Sequence, residues 1–229
     1  GIAYLKGQGD DIETDWDVAW RGDLRYTMND GLFFEIRGFY HEADLDELFD
    51  DDDFDFNGSG DFETWYLDFL IGDNIHNGAN FCVDFSAGLR YFNSEGDVRG
   101  KKRSIDPQAT APPGEGFYRG RPKASYDADG IGPVFRLEGT RRLSGNLSLY
   151  FDFTQAILFG ENDTDVKYPD GFKDSDSSDT LTFVTEIGGG LEYSFGAGHI
   201  RVGGEGQYWA IDGSDLGVYG GIAEIGWSF

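Results

Sequence analysis

The chain has 229 residues, 39% of them hydrophobic and 16% aromatic, with a formal charge of -25 at pH 7. This excludes a disordered polar coil and an ordinary apolar membrane protein, and the acidity argues against nucleic acid, whose phosphates it would repel. Thirty-five glycines beside one Cys and one Met exclude a helical bundle and a disulfide-stapled miniprotein, since Cys82 alone can make no internal bridge.

No stretch approaches the roughly 18 consecutive apolar residues of a membrane-spanning helix. The opening Gly1-Ile2-Ala3-Tyr4 lacks a basic, apolar leader and is expected to begin a mature, processed chain. What the chain has instead is alternation. From Ile12 to Tyr26 the even positions read Ile12, Thr14, Trp16, Val18, Trp20, Gly22, Leu24 and Tyr26, and the odd ones are mostly charged. Successive side chains of a strand point to opposite faces, so one face is apolar and the other polar. The period of two returns at Leu32–Tyr40, Trp65–Ile71, Phe81–Tyr91, Leu147–Phe153 and Leu181–Phe195, and it closes the chain at Ala223, Ile225, Trp227 and Phe229. Weaker versions lie near residues 131–138 and 200–211. Strands are expected at residues 1–7, 12–26, 31–42, 62–72, 80–92, 126–139, 146–159, 180–195, 198–211 and 216–229.

Amphipathic strands suit either a soluble sandwich, with the apolar faces inside, or a membrane barrel, with them turned outward. Runs of about ten to fifteen residues exceed the usual five or six of soluble sheets and match the nine to eleven that cross a bilayer. Charges in mid-strand, such as Asp84, Arg90, Glu186 and Glu192, also fit a barrel interior. Parity decides. Ten strands put the three long connections (residues 41–61, 93–125 and 160–179) on one side and short turns on the other, the rule for outer-membrane barrels. The expectation is an all-β, closed antiparallel transmembrane barrel of about ten strands, one domain over residues 1–229, in the bacterial outer membrane.

Trp16, Tyr40, Trp65 and Tyr91 then belong to an outer aromatic girdle, and Tyr26, Tyr193, Trp227 and Phe229 to a periplasmic one. The final Phe229 is similar to the aromatic-ended signal recognised by the barrel assembly machinery, although Glu224 stands where that signal often has Gly. The segments from Gly130 to Gly160 and from Gly188 to Phe229 resemble the Legionella-type major outer-membrane protein family, barrels that form pores and also occur in planctomycetes. The resemblance covers about the C-terminal half, rests on glycine and aromatic spacing, and implies a pore or an adhesive surface role with no catalytic residues carried over.

The inward, pore-lining set is Glu13, Asp15, Asp17, Asp23, Glu35, Asp84, Asp152, Glu186, Glu192 and Glu205 with Arg21, Arg25, Arg37, Arg90, Arg136 and Arg201; Asp68 shares its parity. Acids exceed bases, so a narrow, cation-preferring pore for small cations or solutes is expected, because uncompensated carboxylates concentrate cations in a confined lumen. The alternative is a salt-bridged, non-conducting barrel that is structural or adhesive and acts through its charged outer loops. No Lys or Arg lies between Arg37 and Arg90, whereas Arg99, Lys101, Lys102, Arg103, Arg119, Arg121 and Lys123 make the next loop basic. Asp50, Asp51, Asp52 and Asp53 offer oxygen ligands of the kind surface calcium takes, without EF-hand spacing, as do Asp163, Asp165, Asp174 and Asp176. Beyond that calcium no cofactor is expected. Catalysis is not expected either: only His41, near Asp44 and Asp46, falls at the outer rim, with His76 and His199 at the other end. Outer-membrane lipid is the surrounding partner, with self-association or a surface layer as further candidates.

Overall fold

The computed structural model describes all residues except 10, 11, 15, 49, 52, 53, 56, 57, 101–122, 169, 170, 212, 213 and 229. The strands are β1 (Ile2–Gly9), β2 (Ile12–Thr14), β3 (Asp17–Thr27), β4 (Phe33–Leu48), β5 (Asp50–Asp51), β6 (Phe54–Asp55), β7 (Gly58–Asn77), β8 (Phe81–Gly100), β9 (Lys123–Ser144), β10 (Leu147–Lys167), β11 (Lys173–Phe195), β12 (Gly198–Ile211) and β13 (Ser214–Trp227). β2 and β3 form one interrupted stave, and among the described residues β5 pairs only with β6. Among the described residues ten antiparallel staves follow one another in chain order, and β13 pairs back onto β1 to close the barrel.

Closure removes the sheet edges that water would otherwise have to satisfy, and the alternating pattern fixes the faces, because a one-residue slip would exchange the two surfaces. The outward face carries a continuous apolar band in which Leu24, Phe69, Leu89, Ile131, Phe159 and Ile187 are exposed. A band of that extent matches the lipid-facing belt of a barrel and would not be stable in water. The inward face packs an apolar cluster that includes Leu5, Phe39, Phe92, Leu158, Trp209 and Val218.

Short turns lie at one end. Two-residue links join β9 to β10 and β11 to β12, and Gly145 begins the first with φ 50, a conformation that L side chains rarely take. The wall is also tightly bent: a Cβ on Gly88 would stand 1.8 Å from the carbonyl oxygen of Phe69, so only glycine lets β7 and β8 approach that closely there.

Where they are described, the long connections expected from the sequence are largely strand. β4 runs on to Leu48 and β7 begins at Gly58, β8 reaches Gly100 and β9 begins at Lys123, and β10 and β11 pair without a break out to Lys167↔Lys173. Hydropathy lost these extensions because their outward residues are polar, many of them carboxylates, whereas the backbone ladder continues regardless of what the side chains carry.

The lumen and the outer face as candidate functional sites

Inward parity holds for the described members of the expected lumen set. Glu13 belongs to β2 but its side chain lies outside the description, and Asp15 is outside the described residues. The rest, Asp17 and Asp23 aside, meet with Asp68 and Glu138 in one ion-paired layer. Each of six arginines bridges at least two carboxylates: Arg21 reaches Glu186 and Glu205, Arg25 reaches Glu35, Asp84 and Glu138, and Arg37 reaches Glu186 and Asp68. Arg90 pairs with Asp68 and Glu186, Arg136 with Glu35, Glu138 and Asp152, and Arg201 with Glu138 and Glu192. Glu186 is the node, holding Arg37 at 2.6 Å and Arg90 at 2.6 Å and accepting the Tyr66 hydroxyl at 2.9 Å. Arg90 also lies over the Tyr66 ring, 3.6 Å from its centroid.

Solvent does not reach the middle of this layer. Arg37 is 1% exposed, and Arg90 and Asp68 are not exposed at all. Charges taken that far from water persist only when paired and hydrogen-bonded, which is the arrangement seen. The inward carboxylates of this layer are therefore engaged rather than free; cation preference is not supported by this arrangement. Toward the long-strand end the lumen is filled above the layer by Phe39, Phe92, Leu158 and Trp209. Toward the short-turn end it opens into a cavity of about 930 Å³ lined by Arg25, Glu138, Tyr150, Asp152, Arg201 and their neighbours.

The extended ends carry a second feature that the strand boundaries read from the sequence had concealed. Glu42, Glu63, Glu95, Asp127 and Asp163 are successive register partners on β4, β7, β8, β9 and β10, so five carboxylates stand in one row across the outward face. The next row repeats the theme with Asp44, Asp61, Asp97, Ser125 and Asp165. A shallow cavity of about 450 Å³ lies among them, bordered by Glu63, Glu95, Asp97, Tyr126 and Asp127. The sequence signal was present: Glu42 and Asp44, Asp61 and Glu63, Glu95 and Asp97 continue the period of two beyond the apolar band. At the edge of this face, the Ser175 hydroxyl and then the Lys173 ammonium hold the Asp165 carboxyl below its usual value. Tyr126 is shifted upward by burial and by the neighbouring Asp127.

Of the girdle residues, Trp16, Tyr26, Tyr91, Tyr193 and Trp227 are exposed and Tyr40 and Trp65 half-buried, all on the outward face; Phe229 lies outside the described residues. Trp65 and Tyr91 sit side by side, ring centroids 5.5 Å apart. The acidic run falls in the β5–β6 hairpin, where Asp52 and Asp53 are outside the described residues and the side chains of Asp50 and Asp51 are not described. Among the described residues no group of three or more His, Cys, Asp or Glu is arranged to hold a metal ion. His41 is turned into the lumen and buried beside Phe39, ring centroids 6.3 Å apart, whereas Asp44 is on the outward face.

No family model matches the chain, and no curated protein does. Among solved structures it is similar to the outer membrane protease OmpT of Escherichia coli, at 12% identity over 100% of this chain and 94% of that one, with a TM-score of 0.69. The toluene transporter TodX of Pseudomonas putida matches at 12% identity over 98% of this chain and 69% of that one, with a TM-score of 0.43. A major outer membrane protein of Thermus thermophilus matches at 13% identity over 97% of this chain and 100% of that one, with a TM-score of 0.43. At these identities the likeness is one of fold: the chain has the architecture of an outer-membrane barrel, and the Legionella-type family in particular is not reached by any of these matches.

Proposed function

We propose that the chain sits in a bacterial outer membrane with its short turns in the periplasm, that its lumen is closed to ions at rest, and that it works as a structural or adhesive surface barrel through its acidic outer face. One observation carries the reading. Arg37, Asp68, Arg90 and Glu186 form a buried ion-paired layer in the lumen, capped by an apolar layer, so two successive barriers stand in the way of a wetted path. A ten-stranded barrel is narrow enough for side chains to fill it at the level of these two layers. The proteolysis of OmpT is not carried over, because His41, the histidine toward the outer end, is buried in the lumen.

A pore is the second reading, favoured by the 930 Å³ cavity that reaches the layer from the periplasmic side. In that case the layer parts to open a narrow path, and the inward acids, more numerous than the arginines, bias it toward cations. Kinship with the Legionella-type barrels belongs to this second reading. Insertion would use the barrel assembly machinery, which reads the aromatic end of β13.

Purified barrels in a planar bilayer under a salt gradient separate the two. The closed reading expects no conductance steps. Small steps with a cation-favouring reversal potential, weakening as the Debye length shrinks to about 3 Å at 1 M salt, would support the pore instead.

A further inference from the structure

Arg142 stands apart from the six arginines that bridge carboxylates in the lumen. It follows Arg136, Glu138 and Thr140 on the inward face of β9 and is the register partner of Ser148 on β10, yet it makes no ion pair among the described residues. It borders a second cavity, of about 280 Å³, at the short-turn end, together with Cys82, Thr140, Ser148, Glu192 and Ser194. The backbone shapes this recess. The Arg142 amide donates to the Asn80 carbonyl at 2.9 Å and ties β9 to the turn between β7 and β8, while the Ser194 amide donates to the Asn146 carbonyl at 2.9 Å and ties β11 to the turn between β9 and β10. In the wall, Asn74 Nδ2 donates to the Cys82 Sγ at 2.8 Å.

The groups left over are donors. Ser148 is 7% exposed and turned inward, and its hydroxyl has no hydrogen-bond partner among the described residues. The hydroxyls of Thr140 and Ser194, half-buried on the same inward face, have none either. Buried polar groups are almost always satisfied, so a hydroxyl placed this way calls for an acceptor supplied from the cavity. The one carboxylate that borders the cavity among the described residues is Glu192, and it is already engaged by Arg201 Nε at 2.8 Å. An unpaired guanidinium among hydroxyls, in a chain of net charge -25, reverses the sign of its surroundings. That combination selects an oxyanion, because the guanidinium fork meets two oxygens at once and the hydroxyls complete the shell.

We propose that this cavity is a binding site for a small oxyanion, a phosphate or a carboxylate group, with Arg142 supplying the charge and Thr140, Ser148 and Ser194 donating hydrogen bonds to it. Its volume of about 280 Å³ compares with a share of about 30 Å³ for each water molecule in the liquid, which leaves room for a phosphate or for the end of a short peptide. The cavity lies on the short-turn side of the ion-paired layer, so the ligand arrives from the periplasm in the proposed orientation. Binding therefore does not depend on whether that layer conducts.

Calorimetric titration of the whole chain in detergent micelles, with inorganic phosphate and separately with alanyl-alanine, tests the site. At least one of the two should bind, and which one does identifies the source as a phosphate or a chain-terminal carboxylate. Arg142→Gln should weaken that binding at least ~10-fold, and Ser148→Ala should weaken it less. Arg142→Lys, which keeps the charge and loses the fork, should fall between Arg142→Gln and the native chain. Arg142 has no ion pair to lose, so its variants should keep the folded band in heat-dependent gel mobility. No binding of either probe, or equal binding by the native chain and Arg142→Gln, would overturn the proposal. Cys82, the one cysteine of the chain, reads the position. The bound anion should slow modification of its thiol by N-ethylmaleimide in the native chain but not in Arg142→Gln, and a rate unchanged by saturating ligand would overturn the placement in this cavity.

Discussion

Arg90 and Asp68 meet as direct cross-strand partners on β8 and β7, Nε to Oδ1 at 2.6 Å and Nη2 to Oδ2 at 2.8 Å, with neither side chain exposed. The forked guanidinium matches both carboxylate oxygens, the strongest geometry open to such a pair. Breaking one partner should be far worse than replacing both. Asp68→Asn is expected to cost about 3–5 kcal/mol by leaving buried Arg90 only Glu186, a carboxylate it shares with Arg21 and Arg37, whereas Asp68→Leu with Arg90→Met should be neutral or stabilising. The temperature at which the folded band disappears in heat-dependent gel mobility checks both, and an equal loss in the single and double variants would contradict it.

Glu186 holds three arginines at once, so Glu186→Gln keeps the shape of the layer while removing its central negative charge. If the folded band survives, the variant should open a leak that prefers anions, because Arg21, Arg37 and Arg90 would then be under-compensated. Bilayer recordings with reversal potentials measure this. A silent, fully folded variant would place the seal in the apolar layer of Phe39, Phe92 and Trp209.

The row of Glu42, Glu63, Glu95, Asp127 and Asp163 sets like charges directly opposite one another. Such pairs oppose folding, so Glu63→Gln and Glu95→Gln should each stabilise by about 0.2–1 kcal/mol at low salt. The gain should shrink as salt rises, since the row faces water and is screened. Denaturant titrations at two ionic strengths decide it, and destabilisation by either change would imply that something cationic holds the row.

The outward band should respond to charge by depth. Phe153→Lys, well inside the band, is expected to cost about 2–4 kcal/mol, and Trp227→Lys, at the rim, about 0–1 kcal/mol. Folded yield in the membrane fraction reads the difference. Equal losses would mean that the band is not arranged across the bilayer as described.

Two glycines give opposite expectations. A Cβ at Gly88 would strike the Phe69 carbonyl, and Gly88→Ala should destabilise by about 1–3 kcal/mol, as overpacking does. At Gly206 the nearest atom would be 3.8 Å away, so Gly206→Ala should be neutral or gain about 0.4–1 kcal/mol from reduced freedom of the unfolded chain. Unfolding midpoints of the two variants test the contrast.

Much of this was legible in the sequence, and the limits follow from what a local pattern encodes. A period of two places Asp68 and Arg90 inward without reference to any partner, since parity alone assigns faces. It cannot say that Arg25 reaches Glu138, 113 positions away, because that meeting depends on strand tilt and register around the whole barrel. The strand ends failed for a different reason. Beyond Tyr40 and Tyr91 the outward residues become Glu42 and Glu95, so the hydropathy signal stops at the edge of the apolar band while the hydrogen-bonded ladder continues. The acidic rows were hidden by the same error, because segments read as loops have no register in which carboxylates can line up.

The length of the paired hairpins settles what their tips can feel. Lys173 stands eight residues beyond Leu181 on β11, about 20 Å further from the bilayer for a rise of ~3.4 Å per residue and a tilt of ~40°. That is more than two screening lengths at physiological ionic strength, where each is about 8 Å. The surface charge of the lipid therefore fades before it reaches the β10–β11 turn, and an approaching molecule meets the field of the protein's own carboxylates first, at a standoff set by backbone hydrogen bonds.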